Sequence, residues 1–174
     1  MGKNGGEGRL RRVGIHSKGE LRLEDLLEQL RADPRFKEVG GIGVFIGVTR
    51  STSADGEPVS HLEFEAYEEK AEEAMSSIAD DIRNRTGIAN VLIHHVTGKL
   101  NQGDLIMAVL VAGRSRKDVF PALVEAVERT KTSVPIWKKE FLSSGKSYWV
   151  SERENMAEAK KGKISKRSRG SSQK

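Results

Sequence analysis

The chain has 174 residues, with 30 Lys and Arg against 25 Asp and Glu, a net charge of +5 and a pI near 9.5. It contains no cysteine, which excludes disulfide frameworks, cysteine-ligated zinc, iron–sulfur clusters and thiol catalysis. Its longest uncharged runs are about half of the roughly 20 residues that a membrane span needs. No apolar leader opens the sequence. We therefore expect a soluble, cytoplasmic protein with no membrane partner.

The positive charge is concentrated at the two ends of the chain. The last 18 residues carry seven Lys or Arg and one Glu, whereas the interior over 13–156 carries 19 basic and 23 acidic residues. Segments as polar as these ends bury too little apolar surface to offset their ordering entropy. We predict a flexible basic N-terminus over 1–12, one folded domain over 13–154 and a disordered basic tail over 155–174.

Apolar periodicity predicts the elements of the first half. Leucines at helical spacing indicate an amphipathic helix over 21–32, ended by Pro34. A strand is predicted over 39–49, with Gly43 and Gly47 on one face, which indicates that a neighbour packs closely against the backbone there. A loop over 50–58 follows. It leads to a strand over 59–67 and a helix over 68–85 with an acidic first turn.

The second half continues with strands over 88–97 and 104–112, joined by a turn at 101–103. A helix over 115–132 follows, with Ser115 as its N-cap. Two short strands, over 136–141 and 147–150, complete the pattern. The order α-β-β-α-β-β-α-β-β does not alternate strictly, so the predicted fold class is α+β, with a largely antiparallel sheet and flanking helices.

The segment KTSVPIWKKE over 131–140 is chemically the most informative. We predict that Phe120, Val124 and Val127 form the buried face of the preceding helix. Lys131 follows Phe120 by eleven residues, which returns it to nearly the same direction and would place it on that buried face. It would then either extend to solvent and bind the last carbonyls, or act as a reactive amine. Lys138 lies opposite the aromatic side chains of the next strand, facing solvent or a cleft.

Two adjacent histidines raise the question of a metal site. His94 and His95 lie in a predicted strand, so their side chains point to opposite faces and do not readily share one ion. We expect one to be packed and the other exposed, and we expect no metal.

Four motifs together resemble the large, catalytic subunit of molybdopterin synthase. They are VPIWKKE (134–140) with the WV pair at 149–150, LEFEAY (62–67), GVFIGVTR (43–50), and His95 followed by GKLNQGD (98–104). The resemblance covers about 39–152. It implies an α/β hammerhead-like fold and a homodimer. It also implies a small ubiquitin-like partner, ending in a Gly-Gly thiocarboxylate, that completes a heterotetramer.

The activity that the resemblance implies is a sulfur transfer in molybdenum cofactor biosynthesis. Such an enzyme places two sulfurs, one at a time, on cyclic pyranopterin monophosphate and so makes the dithiolene of molybdopterin. We expect no cofactor in the protein itself. The absence of cysteine agrees with this reading, because a sulfurtransferase without cysteine needs an external sulfur donor.

Individual residues take on roles through the same resemblance. The two catalytic lysines of the family fall on Lys131 and Lys138. The residues that the resemblance implies in substrate binding are Arg50 and Arg116. We expect the neighbouring cations Arg114, Lys117 and Lys139 to contribute to the same binding. In the family, a His-Arg pair before the third helix binds the anionic substrate, often across the dimer interface.

The sequence departs from the family pattern at two positions. Ser115 stands where the family has the histidine of that pair, and Val96 stands where an arginine commonly follows the hairpin histidine. These departures motivate one alternative, a non-catalytic family member that binds the partner as a scaffold. The second alternative is a basic protein that binds nucleic acid through its tails. Because the tails contain no aromatic residue, a nucleic-acid partner is the weaker reading.

Overall fold

The computed structural model describes residues 11–150, which form two four-stranded sheets and three α-helices. The elements are β1 Val13–His16, α1 Leu23–Arg31, a 3₁₀ helix Pro34–Glu38, β2 Gly41–Val48, β3 Val59–Ala66, α2 Glu68–Arg83, β4 Ile88–Val96, β5 Gly98–Asn101, β6 Leu105–Gly113, α3 Arg116–Ser133, β7 Ile136–Leu142 and β8 Ser147–Val150. Most of the predicted N-terminal segment 1–12, the end of the predicted domain 13–154 and the whole predicted tail 155–174 lie outside the described residues.

The first sheet has the strand order β1-β4-β6-β2. Its two central strands are almost entirely buried, and only β1 runs parallel to its neighbour. Helices α2 and α3 pack on one face of this sheet, and α1 packs on the other through Leu26 and Leu30. Both faces of β4 and β6 are covered, which explains why β6 is apolar throughout and why β4 buries even its polar residues Asn90, His94 and His95.

The second sheet has the order β5-β3-β7-β8, and all of its pairs are antiparallel. Its inner face joins the end of β4 in an apolar cluster that includes Leu62, Phe64, Val96 and Leu100. The two sheets therefore meet at the C-terminal end of β4. The predicted α+β class with largely antiparallel pairing is confirmed.

Two strands were absent from the sequence prediction. β1 and β5 have four residues each, which is too short for an alternation pattern to stand out. Partners at a distance along the chain define them instead, since β1 pairs with β4 and β5 pairs with β3. None of the described helices is long and apolar enough to cross a membrane.

The close neighbour predicted for the glycine face of β2 is helix α3. A Cβ atom at Gly43 would lie 2.7 Å from Cγ1 of Val119 and 3.1 Å from Cδ2 of Leu123. The opposite face of β2, which carries Ile42, Val44, Ile46 and Val48, is 36–50% exposed. β2 is an edge strand, so the described structure leaves both its backbone edge and this apolar face uncovered.

The predicted buried face of α3 is partly wrong. Phe120 and Val124 are 59% and 62% exposed. The residues that α3 buries are Val119, Ala122, Ala126, Val127 and Thr130. The glycines of β2 allow Val119 and Leu123 of the helix to lie directly against the strand, and this contact leaves Phe120 and Val124 on the outer side of the helix. Lys131 is consequently exposed, not buried as predicted.

Candidate active site

A cleft of about 1210 Å³ lies where the two sheets meet. Its walls come from the end of β2, the loop after it, the last turn of α3, and strands β3, β4, β6, β7 and β8. Three of the predicted site residues line it, namely Arg50, Lys131 and Lys138. Arg50 is separated from the two lysines by about 80 residues of sequence, so the fold brings these cations together.

Lys131 extends from the last turn of α3. Its Nζ lies 5.9 Å from the centre of the Phe45 ring, which projects from β2 on the side that faces this helix. The contact has the geometry of a cation–π interaction. The C-terminal end of a helix also favours a cation, because the unpaired carbonyls carry partial negative charge there. Lys131 is thus held at the cleft while its amine stays accessible.

Lys138 lies in the middle of β7, between Phe64 of β3 and Val150 of β8. Its Nζ is 3.3 Å from Oε1 of Glu140, two residues further on the same strand face. Glu140 is only 5% exposed, and the hydroxyl of Tyr148 donates to its Oε2 at 2.9 Å. Lys138, Glu140 and Tyr148 form a connected row on one wall of the cleft.

Arg50 follows directly after β2 and is exposed. Two backbone bonds fix its position, since the Thr49 N–H donates to the Asp104 carbonyl at 2.9 Å and the Gly103 N–H donates to the Thr49 carbonyl at 2.8 Å. The loop after β2 therefore leaves the sheet from a fixed point. The guanidinium of Arg50 can therefore approach an anion in the cleft without movement of β2.

The other predicted binding residues do not line this cleft within one chain. Arg114, Arg116 and Lys117 lie at the N-terminal end of α3. Fifteen residues separate Arg116 from Lys131, which is roughly 22 Å along the helix. Lys139 faces away from Lys138, and its Nζ lies 5.0 and 5.5 Å from the ring centres of Phe141 and Trp149.

The two positions that depart from the family pattern have local roles in the fold. Val96 is 2% exposed and belongs to the apolar cluster between the sheets. The Ser115 hydroxyl donates to Oδ2 of Asp118 at 2.7 Å, next to the start of α3. Neither side chain offers a charge or an imidazole to a bound anion.

Both members of the histidine pair are buried, so the expectation that one would be exposed is wrong. His94 is 1% exposed and lies 2.9 Å from His16, and burial, followed by the neighbouring His16, lowers the pKa of His94 to about 3. His95 lines the cleft and donates from Nδ1 to the Val96 carbonyl at 2.9 Å. Burial lowers the pKa of His95 to about 4. No group of three or more His, Asp or Glu that could hold a metal occurs among residues 11–150.

Two residues of the cleft wall had no role in the sequence prediction. Glu140 is part of the KKE motif, but its sequence position does not reveal that its carboxylate is buried. Tyr148 stands directly opposite Glu140 in the β7–β8 pairing, and that register is not readable from the sequence. The only available signal was the shared parity of Lys138 and Glu140 along one strand.

Comparison with known proteins agrees with this geometry. The family model described as MoaE protein matches residues 16–133, which is more than half of the chain. A protein of Nostoc sp. named molybdopterin synthase catalytic subunit is 37% identical over 126 residues, which cover 72% of this chain and 76% of that protein. A Haloferax volcanii protein named probable molybdopterin synthase is 37% identical over 133 residues. The match covers 75% of this chain and only half of the Haloferax protein.

Solved structures give the same result. Molybdopterin synthase from Staphylococcus aureus has a TM-score of 0.71 at 30% identity, and the match covers 82% of this chain and 99% of that one. A Helicobacter pylori chain, solved in a protein–protein complex of subunits 1 and 2 of molybdopterin-converting factor, has the same fold at a TM-score of 0.65 and 21% identity. The match covers 82% of this chain and 92% of the Helicobacter chain. On the family match and the Nostoc relative, this chain belongs to the MoaE family of molybdopterin synthase catalytic subunits.

Proposed function

We propose that this chain is the catalytic subunit of a molybdopterin synthase. It transfers sulfur from the C-terminal thiocarboxylate of a small partner subunit to cyclic pyranopterin monophosphate, and it forms the dithiolene in two transfers. The observation that carries this proposal is the meeting of Arg50, Lys131 and Lys138 in one cleft of a MoaE-family chain without cysteine. A cytoplasmic location belongs to the proposal, since a cysteine-free sequence is compatible with a reducing compartment.

The cations of the cleft match both reactants. A cyclic phosphate and a thiocarboxylate are anions, and Lys and Arg side chains bind such groups through charge-assisted hydrogen bonds. In each transfer the carbon–sulfur bond of the donor acyl group breaks, and a carbon–sulfur bond to a pyranopterin carbon replaces a carbon–oxygen bond of the substrate. The displaced substrate oxygen leaves with protons as water or stays on the phosphate. Water adds to the donor acyl carbon, so that the donor is released as a carboxylate. Negative charge that develops on oxygen or sulfur during these steps is stabilised by positioned cations.

We assign different roles to the two lysines. Lys131, with an accessible amine at the end of α3, is the proton shuttle or nucleophile of the reaction. Lys138 is held against Glu140 on the cleft wall and orients the thiocarboxylate. Arg50, which also lines the cleft, binds the substrate phosphate. Each role follows from what the side chain can reach in this geometry.

The rim of the cleft suits an extended peptide tail. Trp137 and Trp149 are 52% and 51% exposed and line the opening together with Tyr148. Exposed aromatic side chains beside a cationic cleft provide an apolar surface for a chain end with a terminal negative charge. The H. pylori relative was solved with its second subunit. We propose the same pairing here, with the partner's tail along this rim.

A second copy of the chain completes the site in this proposal. Arg114, Arg116 and Lys117 are remote from the cleft of their own chain, whereas the exposed apolar face of β2 offers a surface for self-association. A two-fold dimer uses the same patch on both copies. We propose that Arg116 enters the cleft of the second copy, and that two small subunits complete a heterotetramer.

Subunit complementation tests this shared site. Arg116→Ala and Lys131→Ala variants each damage a different part, so neither homodimer has an intact site. The two variants are then mixed and allowed to exchange subunits. About half of the resulting dimers are mixed, and one of the two sites in each mixed dimer is intact, so a shared site restores up to about a quarter of wild-type activity. If Arg116 serves its own chain, every site stays damaged and no activity returns.

Reconstitution separates the proposed enzyme from the two alternatives. The full chain is incubated with a thiocarboxylated small subunit and cyclic pyranopterin monophosphate, and dithiolene product is measured. Product supports the enzyme. A stable complex without product supports a scaffold, and salt-sensitive RNA binding without either supports a nucleic-acid-binding protein. A carboxylate form of the small subunit is the matched control, because it can bind but has no sulfur to give.

A further inference from the structure

The wall of the cleft contains a row of three polar groups that are bonded to one another. Lys138 contacts one oxygen of the Glu140 carboxylate at 3.3 Å, and the Tyr148 hydroxyl donates to the other at 2.9 Å. Glu140 is 5% exposed. A buried carboxylate is costly unless its oxygens are paired. Each oxygen of Glu140 therefore has its own partner, one a cation and the other a phenol.

The backbone register makes this arrangement rigid on the Tyr148 side. Glu140 of β7 lies directly opposite Tyr148 of β8, and Lys138 lies opposite Val150. Side chains that face each other across an antiparallel pair are neighbours on the same face of the sheet. Tyr148 reaches Glu140 without depending on a flexible loop, which makes the contact suited to fixing the carboxylate.

Tyr148 also contacts the loop between β2 and β3. The pKa of Tyr148 is raised, first by burial and then by the hydrogen bond and the charge of Glu140. Of the two loop residues that act on the phenol, Ser53 lowers its pKa and the charge of Asp55 raises it. Ser53 is 4% exposed, and its backbone N–H donates to the Glu57 carbonyl at 2.9 Å. The phenol therefore lies on the cleft wall beside the loop that follows β2.

We propose that Tyr148 is a positioning residue of the cleft, which fixes Glu140 and through it the ammonium of Lys138. This inference rests on the proposed function, because Lys138 is the group whose position matters for sulfur transfer. Tyr148 takes no part in bond making. Its hydroxyl holds one carboxylate oxygen so that the other faces Lys138.

Tyr148→Phe tests the inference because it removes one oxygen and keeps the ring. We expect kcat to fall about tenfold, the value of one hydrogen bond to a charged group, with KM for the pyranopterin within a factor of two. Tyr67→Phe is the matched control, since Tyr67 is the other tyrosine of the chain and is 56% exposed outside the cleft. Equal kcat values for the two variants, at equal thermal stability, would overturn the role of Tyr148.

A second readout needs no enzymatic activity. The folded protein is treated briefly with acetic anhydride, and acetylation of Lys138 relative to the exposed Lys37 is measured by peptide mass spectrometry. In Tyr148→Phe the ammonium of Lys138 is held less firmly, so we expect its relative acetylation rate to rise several-fold, with no rise in Tyr67→Phe. An unchanged ratio in Tyr148→Phe overturns the inference.

The two readouts separate this inference from the function on which it rests. A wild-type protein that makes no dithiolene, combined with a raised Lys138 ratio in Tyr148→Phe, contradicts the proposed function and retains the positioning of Lys138. An active wild type, combined with unchanged kcat and an unchanged ratio in Tyr148→Phe, contradicts the positioning and retains the function.

Discussion

At the scale of single residues, Lys131 and Lys138 reach the same cleft from different elements and in different states. Lys131 is exposed at a helix end and contacts an aromatic ring, whereas Lys138 is paired with a buried carboxylate. The motifs of the sequence pointed to both lysines and to Arg50. They could not point to the Glu140–Tyr148 contact, because it depends on the pairing register of two strands.

Replacing Lys131 with alanine should abolish product formation, because no other described cation occupies the end of α3 at the cleft. Binding of the small subunit should stay near the wild-type value, since the aromatic rim is intact. Product is followed by chromatography, and binding by calorimetry. Lys70→Ala, at an exposed lysine of α2 outside the cleft, shows what the loss of an exposed helix lysine does in general. Wild-type turnover by Lys131→Ala would exclude the assigned role.

At the scale of elements, packing between β2 and α3 decides where Lys131 lies. The alternation of β2 correctly predicted a close neighbour on its glycine face, and α3 is that neighbour. Periodicity alone could not decide which residues of α3 face it, because several apolar and small positions are compatible with a 3.6-residue repeat. In the structure Val119 and Leu123 contact Gly43, and this orientation of α3 places Lys131 on the accessible side.

Gly43→Ala should destabilise the protein by about 1–3 kcal/mol, the usual cost of adding an atom to a packed contact. The new Cβ would lie 2.7 Å from Val119 and force α3 away from the strand. Gly41→Ala, on the same face of β2, is the matched control because nothing lies within 4 Å of its new atom. Urea unfolding measures both. Equal stability of the two variants would show that α3 does not pack closely at Gly43.

At the scale of the whole molecule, the described domain exposes the apolar face of the edge strand β2 and buries the two neutral histidines, His94 and His95. The sequence predicted a homodimer only through family resemblance, because periodicity cannot tell an exposed apolar face from a buried one. The exposure of Val44 and its neighbours provides a surface for the proposed dimer. The burial of His94 and His95 also depends on both sheets, so it could not be read from their own strand.

Val44→Glu should shift the protein toward monomer, because a carboxylate buried at the centre of an apolar interface is costly. Val44 is 40% exposed in the isolated chain, so folding of the monomer should be little affected. Ser77→Glu adds the same charge to the exposed side of α2 and is the control. Light scattering after gel filtration gives the mass. A Val44→Glu dimer as stable as that of Ser77→Glu would place the interface elsewhere.

Stability should fall as the pH falls from about 6.5 toward 4. The pKa values of His94 and His95 are about 3 and about 4 in the folded protein, against about 6.5 when unfolded, so within this window the unfolded chain binds protons that the native state does not. Each histidine contributes up to about 1.4 kcal/mol per pH unit. Urea unfolding at several pH values measures the slope. His95→Gln should reduce this slope by the contribution of one titrating group. An unchanged slope would contradict burial of a neutral His95.

The most direct test of the account is a single-turnover sulfur transfer with the wild-type chain and its Lys131→Ala variant. Each is mixed with an excess of thiocarboxylated small subunit and limiting cyclic pyranopterin monophosphate. We predict that the wild type consumes two thiocarboxylates for every dithiolene formed. The Lys131→Ala variant should bind both reactants but form no dithiolene. Dithiolene from the variant, or none from the wild type in a stable complex with both reactants, would contradict the account.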